Sequence, residues 1–254
     1  MREAILKVEN LTVRFGGLIA LKGVSFSVFP GEVLGIIGPN GAGKTTLFNA
    51  ITGVVIPQEG RIIFEGQDIT SLPPHKRARL GIGRTFQNLR LFSRLSVLDN
   101  VKLPAGTPYP AVASSFLLPS FRKGEEMLNE MALELLEKLE LKQYKDRPAK
   151  ALPYGERKKL EIARALALKP KLLLLDEPAA GLSHQEAVSL MDELKRLREE
   201  FNLTIILIEH NMRMIMGYCE RIIALNYGEI IAEGTPEEVA NNSAVIEAYL
   251  GEQE

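Results

Sequence analysis

Nine consecutive residues, Gly38-Pro39-Asn40-Gly41-Ala42-Gly43-Lys44-Thr45-Thr46, have the types and spacing to hold a phosphate chain. The glycines let backbone N–H groups converge without Cβ clashes. A helix starting just after them would turn its positive end toward an anion. Lys44 is spaced to reach the β and γ phosphates, and the Thr45 hydroxyl to bind Mg²⁺. A second candidate is the acid pair Asp176-Glu177, which ends an apolar run. Beside a phosphate loop, Asp176 is positioned to orient Mg²⁺ and its waters. Glu177 lies one residue on, so in extended geometry it points the other way; there it could polarise a water attacking the γ-phosphate. His210 follows a further apolar run. It reads either as a phosphate sensor or as a structural histidine.

These residues need a scaffold, and the hydrophobic pattern supplies one. Val33-Leu34-Gly35-Ile36-Ile37 reads as a buried strand leading into the glycine-rich turn, and residues 47–51 as the helix that follows. Residues 172–175 and 203–208 read as further buried strands, which places the acid pair and His210 at carboxyl ends, where open α/β sheets put ligands. Upstream, Val24, Phe26 and Val28 alternate with Ser25 and Ser27, so the chain up to Pro30 reads as strands. Phe15 sits at a Gly16-Gly17 turn; its spacing favours a core aromatic over an exposed platform for a base.

The middle of the chain is less regular. A short strand over 60–66 precedes a basic helix opened by Pro73-Pro74, with His75 solvated. Residues 83–87 read as a strand end in which Gln87 is a polar loop residue. Ser96 is placed to cap a helix, and residues 104–120, with four prolines, read as an irregular excursion. Helical periodicity returns over 122–141, where Met127, Leu128, Met131, Leu135, Leu136 and Leu139 form a packing face. Gly155 and Glu156 begin a helix running to about Leu168, with Arg157-Lys158-Lys159 as a solvated basic turn. An amphipathic helix over 183–201, a hairpin turning at Tyr227-Gly228 and a short helix opened by Thr235-Pro236 complete the pattern.

Composition narrows the class. The chain has 254 residues, 46% hydrophobic and 25% charged, which suits a soluble protein with a real core. A net charge of −1 supplies no basic field for nucleic acid. The one cysteine, Cys219, excludes an internal disulfide framework and reads as a small core residue in a reducing compartment. No signal peptide and no membrane-spanning apolar run is apparent, so a cytoplasmic location is expected.

The order of landmarks resembles the nucleotide-binding subunits of ABC transporters over nearly the full length. The landmarks are the phosphate loop, Gln87, residues 152–157, residues 172–177 and His210. The resemblance implies an α/β fold: a P-loop NTPase cassette with a RecA-like parallel-sheet core, an antiparallel β subdomain and a helical lobe. It implies a single domain over 1–254, with the helical lobe over roughly 90–168 and a tail over roughly 234–254. Phe15 would then stack on adenine, reversing the reading from spacing. Gln87 would contact Mg²⁺ or water and sense the membrane subunits; Asp176 would orient the metal with Thr45; Glu177 would be the general base; and His210 would touch the γ-phosphate. Residues Pro153, Tyr154, Gly155 and Glu156 match the family signature, usually Leu-Ser-Gly-Gly-Gln with the preceding leucine here at Leu152. That segment closes on the ATP of a second ABC ATPase subunit, itself or a related one, in a head-to-tail dimer.

The match departs from the pattern at Pro153, Tyr154 and Glu156, and again at Ser183, where many relatives carry Asp. Gly155 and the helix dipole remain as the main contacts across the dimer. The finer resemblance is to the LivG type of ATPase in branched-chain amino-acid importers, carried by residues 152–155, 160–166, 176–181 and the tail. It implies integral-membrane permease partners, ATP and Mg²⁺, no nucleic acid, and a peripheral place on the inner face of the cell membrane. A lipid exporter, a urea or amide importer, a soluble ABC ATPase and a nucleotide kinase are the rival classes. The last shares the phosphate loop but has no need of the signature or His210.

Overall fold

The computed structural model describes residues 3–86, 90–105 and 119–250. Among these residues ten strands form two sheets: β1 (Leu6–Phe15), β2 (Leu18–Val28), β4 (Glu59–Phe64) and β5 (Gln67–Asp68) in one, and β3 (Val33–Ile37), β6 (Ile82–Arg84), β7 (Leu172–Asp176), β8 (Thr204–Ile208), β9 (Arg221–Asn226) and β10 (Glu229–Gly234) in the other. The first is antiparallel, in the order β2-β1-β4-β5. The second runs β10-β9-β3-β8-β7-β6 and is parallel except for the antiparallel edge strand β10.

The central parallel strands β3, β7 and β8 are almost wholly apolar because both their faces are covered. In β7, Leu173 and Leu175 enter one core while Leu172 and Leu174 enter another; in β8, Ile205 and Leu207 part from Ile206 and Ile208 in the same way. The second core fills the space between the parallel sheet, the antiparallel sheet and α1 (Lys44–Ile51), with Leu80 of α2 (Pro74–Leu80) packed against it. The first is filled by α3 (Val97–Ala105), α4 (Pro119–Lys138), α5 (Tyr154–Leu166), α6 (His184–Phe201), α7 (Met212–Tyr218) and the tail helices α8 (Pro236–Ala240) and α9 (Ser243–Leu250). Cys219 lies in this core, where burial pushes its thiol up to about 12.

Several expectations hold in detail. Ser96 accepts from the Asp99 N–H at the head of α3, and the helix read over 183–201 is α6, with Ser183 as its N-cap in a full capping box with Glu186. The β9–β10 turn has Tyr227 and Gly228 both at positive φ, the geometry of a two-residue hairpin.

Four expectations are corrected. The excursion over 104–120 is narrower: Pro104 lies inside α3, and α4 already begins at Pro119, while residues 106–118 lie outside the described residues. Met127 does not join the packing face; it is 64% exposed, at the outer side of a groove it lines with Met131, Leu166 and Phe201. The helix expected to begin at Gly155 and run to about Leu168 starts at Tyr154 and ends at Leu166. Lys158 and Lys159 are not a solvated turn: Lys158 is 3% exposed, and Lys159 pairs with the buried Glu193 at 2.5 Å. Periodicity could not show this, because the partners come from elements distant in sequence.

Candidate functional site

The phosphate loop joins β3 to α1. Gly38, at φ +149, backs directly onto β9: a Cβ there would lie 2.1 Å from the Leu225 carbonyl oxygen. Gly43, at φ +105, is the N-cap of α1, and a Cβ there would lie 2.6 Å from the Ala20 carbonyl oxygen. Both positions demand glycine for close approach as well as for φ. Between them Ala42 N–H turns back to the Pro39 carbonyl, and the Ala42 carbonyl accepts from Gly228 N–H at 3.0 Å. Asn40 and Gly41 are exposed at the rim. Gly43 offers no side-chain cap to α1 and no acidic residue lies in its first turn, so the positive end of the helix suits an anion. The Lys44 ammonium is buried within the curl of the loop, 2.6 Å from the Gly38 carbonyl and 2.7 Å from the Pro39 carbonyl. Thr45 is exposed and Thr46 half-buried on the first turn of α1.

Phe15 is 51% exposed at the tip of the β1–β2 hairpin. Its neighbour strand β2 carries Ala20, which abuts Gly43, so the hairpin stands beside the loop. The core reading of Phe15 therefore fails: it is the last residue of β1, at the hairpin tip, and about half of it is open to solvent.

Strands β7 and β8 lie side by side, and their carboxyl ends bring the acid pair and His210 together. His210 Nε2 is 2.8 Å from Glu177 Oε1. Glu177 is not extended, as alternation required; it has left the strand with φ +49, its N–H bonded to the Ile208 carbonyl. That left-handed turn, rather than strand alternation, sets the direction of the carboxylate.

Asp176 is 2% exposed and pairs through Oδ2 with Arg84 at 3.0 Å. Burial raises its carboxyl above the ordinary range, and the Arg84 guanidinium opposes the rise. Among the described residues no hydrogen bond takes Oδ1. A carboxylate oxygen, a threonine hydroxyl and phosphate oxygens are the hard donor set that Mg²⁺ takes, with waters completing its shell. No group of three or more acidic, histidine or cysteine side chains forms a cage among the described residues. A magnesium ion carried in with phosphates needs no such cage, so the residues present fit it.

The signature residues stand at the N-terminus of α5, with Pro153 as the N-cap. The Tyr154 hydroxyl donates to the Ala180 carbonyl at 3.3 Å, and a Cβ on Gly181 would lie 3.0 Å from the Tyr154 ring. Lys158 donates to the Glu177 carbonyl at 3.2 Å. Gly155 and Glu156 line a shallow depression with Ser183 and Glu186. Gln87 lies outside the described residues, but both its flanks are held by α5: Phe86 N–H donates to Glu161 Oε1 at 3.0 Å, and Arg164 donates to the Arg90 carbonyl.

Sequence reasoning missed four residues. Arg84 holds Asp176, donates to Asn49 Oδ1 at 2.7 Å and stacks on Phe48 and Phe86. Glu209 is buried and accepts from Ala179 N–H, fixing the turn after Glu177; burial raises its carboxyl. Glu161 and Arg164 brace the segment around Gln87. A lone charge at the end of an apolar strand was the available signal for Arg84 and Glu209. Nothing in the local pattern of α5 distinguishes Glu161 or Arg164 from solvated helix residues.

The comparisons agree with this geometry. Residues 21–180 match the family model described as "ABC transporter", and residues 229–254 match "Branched-chain amino acid ATP-binding cassette transporter". The chain is 44% identical to the high-affinity branched-chain amino acid transport ATP-binding protein BraF of Pseudomonas aeruginosa, over 99% of this chain and all of that protein. Among solved structures, the ADP conformation of MJ1267, an ATP-binding cassette of an ABC transporter, superposes with a TM-score of 0.86 at 38% identity, covering 98% of this chain and 99% of that one. The dimeric post-hydrolysis state of the cassette MJ0796, bound to ADP and Pi, superposes at 0.77 with 30% identity, covering 91% and 98%. With its phosphate loop, acid pair and signature helix arranged as they are, this chain belongs to the ABC transporter family, as an ATP-binding cassette.

Proposed function

We propose that this chain is the ATP-hydrolysing subunit of a branched-chain amino-acid importer. The observation that carries hydrolysis is the meeting of Glu177 and His210, 2.8 Å apart, at the carboxyl ends of β7 and β8 beside the phosphate loop. The full-length similarity to BraF and the match of residues 229–254 to the branched-chain family support the cargo.

In this reading Gly38, Pro39, Asn40, Gly41, Ala42, Gly43, Thr45 and Thr46 cradle the phosphates, Lys44 neutralises them, and Phe15 offers its exposed ring to adenine. Thr45, Asp176 and Gln87 would hold Mg²⁺, which would supply charge compensation on the phosphates. Arg84 holds Asp176 in place through Oδ2. Glu177 polarises the attacking water, and His210 orients Glu177 and the γ-phosphate. Pro153, Tyr154, Gly155 and Glu156 face the ATP of a second ATPase subunit, so that two nucleotides are sandwiched head to tail. Among the described residues no helix is long and apolar enough to cross a membrane. The chain would therefore sit peripherally on the cytoplasmic face of permease subunits, which the helices α3, α4 and α5 and the segment around Gln87 would engage.

Size-exclusion chromatography of Glu177→Gln with and without Mg-ATP tests the site. Blocking hydrolysis should trap the ATP sandwich as a dimer. A persistent monomer that still binds ATP would assign the second site to a different subunit, to be sought by co-purification from membranes. Failure to bind ATP at all would overturn the reading. Cargo is tested separately, by leucine uptake in vesicles holding the reconstituted transporter.

A further inference from the structure

We propose that Tyr249, on the C-terminal helix α9, is a positioning residue for the nucleotide site, its hydroxyl fixing the entry to the phosphate loop. Gly38 N–H donates to Tyr249 Oη at 2.9 Å, across 211 residues of sequence. Gly38 is also the residue pressed against the Leu225 carbonyl, and its own carbonyl accepts from the Lys44 ammonium at 2.6 Å. A glycine at a strand end has wide backbone freedom. Here that freedom is removed from two sides: β9 blocks the place of a side chain, and the tail binds the N–H.

The hydroxyl reaches this point because α9 is docked. Val245 is buried in the same core as Ile222 and Ala224 of β9, and Val239 of α8 joins it there. The β9–β10 turn makes a further contact, Gly228 N–H to the Ala42 carbonyl. The last part of the chain thus touches the phosphate loop at Gly38 and again at Ala42. Removing the hydroxyl leaves the Gly38 N–H to water and lets the Ile37–Gly38 peptide tilt, which moves the carbonyls that centre Lys44. The consequence is weaker binding of the β-phosphate, with the core intact.

The inference rests on residues 38–46 being the phosphate loop, and the test separates the two ideas. Titration calorimetry of Mg-ADP into the full chain is compared for the wild type, Lys44→Ala, Tyr249→Phe and Val245→Asp, each with its nucleotide-free melting temperature. Tyr249→Phe should bind Mg-ADP about five- to tenfold more weakly, with a nucleotide-free melting temperature lowered by no more than about 2–4 °C, the scale of one lost hydrogen bond. Deuterium exchange in a peptide containing Gly38 should quicken. Val245→Asp, which buries a charge under α9, marks the effect of undocking the helix. Wild-type affinity in Tyr249→Phe, with Lys44→Ala impaired, overturns the role of Tyr249 and leaves the loop intact. A melting temperature as low as that of Val245→Asp also overturns it, since the tyrosine then only holds the helix down. If Lys44→Ala binds like the wild type, the loop reading falls and the inference with it.

Discussion

At the head of α1 the chain is organised by its backbone; at the head of α5 it is organised by side chains. Gly38 and Gly43 press against the carbonyls of Leu225 and Ala20, and the Lys44 ammonium is held by loop carbonyls. The signature helix instead begins with Pro153 as N-cap, and Tyr154, Lys158, Glu161 and Arg164 tie its inner side to Ala180, Glu177, Phe86 and Arg90. The first junction is complete in itself. The second leaves its end open and wires its side chains back to the turn that carries Glu177. The turn that carries Glu177 is thereby tied to the head of α5, while the head of α1 depends on close packing of backbone on backbone.

The largest expected break in this comparison is chemical. Glu177→Gln should lower ATP turnover by roughly 10²–10⁴-fold, the range for loss of a general base, while Mg-ADP affinity measured by calorimetry stays near wild type. Equal loss of both would mean that Glu177 belongs to binding and not to hydrolysis.

A structural break follows. Gly38→Ala places a methyl where the Leu225 carbonyl already is, so the loop or β9 must move. Destabilisation of about 3 kcal/mol or more is expected in urea unfolding. Glu177 sits in a non-glycine left-handed turn that Lys158 and Glu209 stabilise from either side, and there the effects are smaller. Lys158→Met removes a buried hydrogen bond to the Glu177 carbonyl and should cost about 1–2 kcal/mol in the same assay. Glu209→Gln keeps an acceptor for Ala179 N–H and should be nearly neutral, whereas Glu209→Ala should cost about 1–2 kcal/mol.

The smallest effect tests the open end. Pro153→Ser restores a hydroxyl and an N–H at the N-cap of α5. In a Glu177→Gln background it should tighten the ATP-dependent dimer by about 1 kcal/mol, one hydrogen bond's worth, seen as a shift in dimer dissociation by analytical ultracentrifugation. No shift would mean that Gly155 and the helix dipole already provide the whole contact.

How far the site was legible differs between its parts for the same reason. The glycine-rich turn, β3, β7 and β8 are local: glycine spacing and apolar runs report short-range geometry directly, and each element formed where its pattern placed it. Ser183, which departs from the family's usual Asp, has a local explanation as well, since it completes the capping box of α6. Phe15 was misjudged from spacing because alternation gives the face of a strand and not whether that face is covered at the strand's end. Lys158 was misjudged because a basic triplet looks solvated until a carbonyl from β7's following turn is known to lie over it.

The sequence by itself determined the phosphate loop, the parallel strands that carry it and the acid pair, and the residue types able to bind Mg²⁺ and activate water. Those follow from steric and hydrogen-bonding rules acting over a few residues. Only the tertiary structure decided that Glu177 turns toward His210 through a left-handed backbone, that Arg84 takes one oxygen of Asp176, and that Tyr249 reaches Gly38 from the far end of the chain. Each of these joins groups 33 to 211 residues apart. Contacts of that span are fixed by how sheets and helices pack, and no local pattern encodes them.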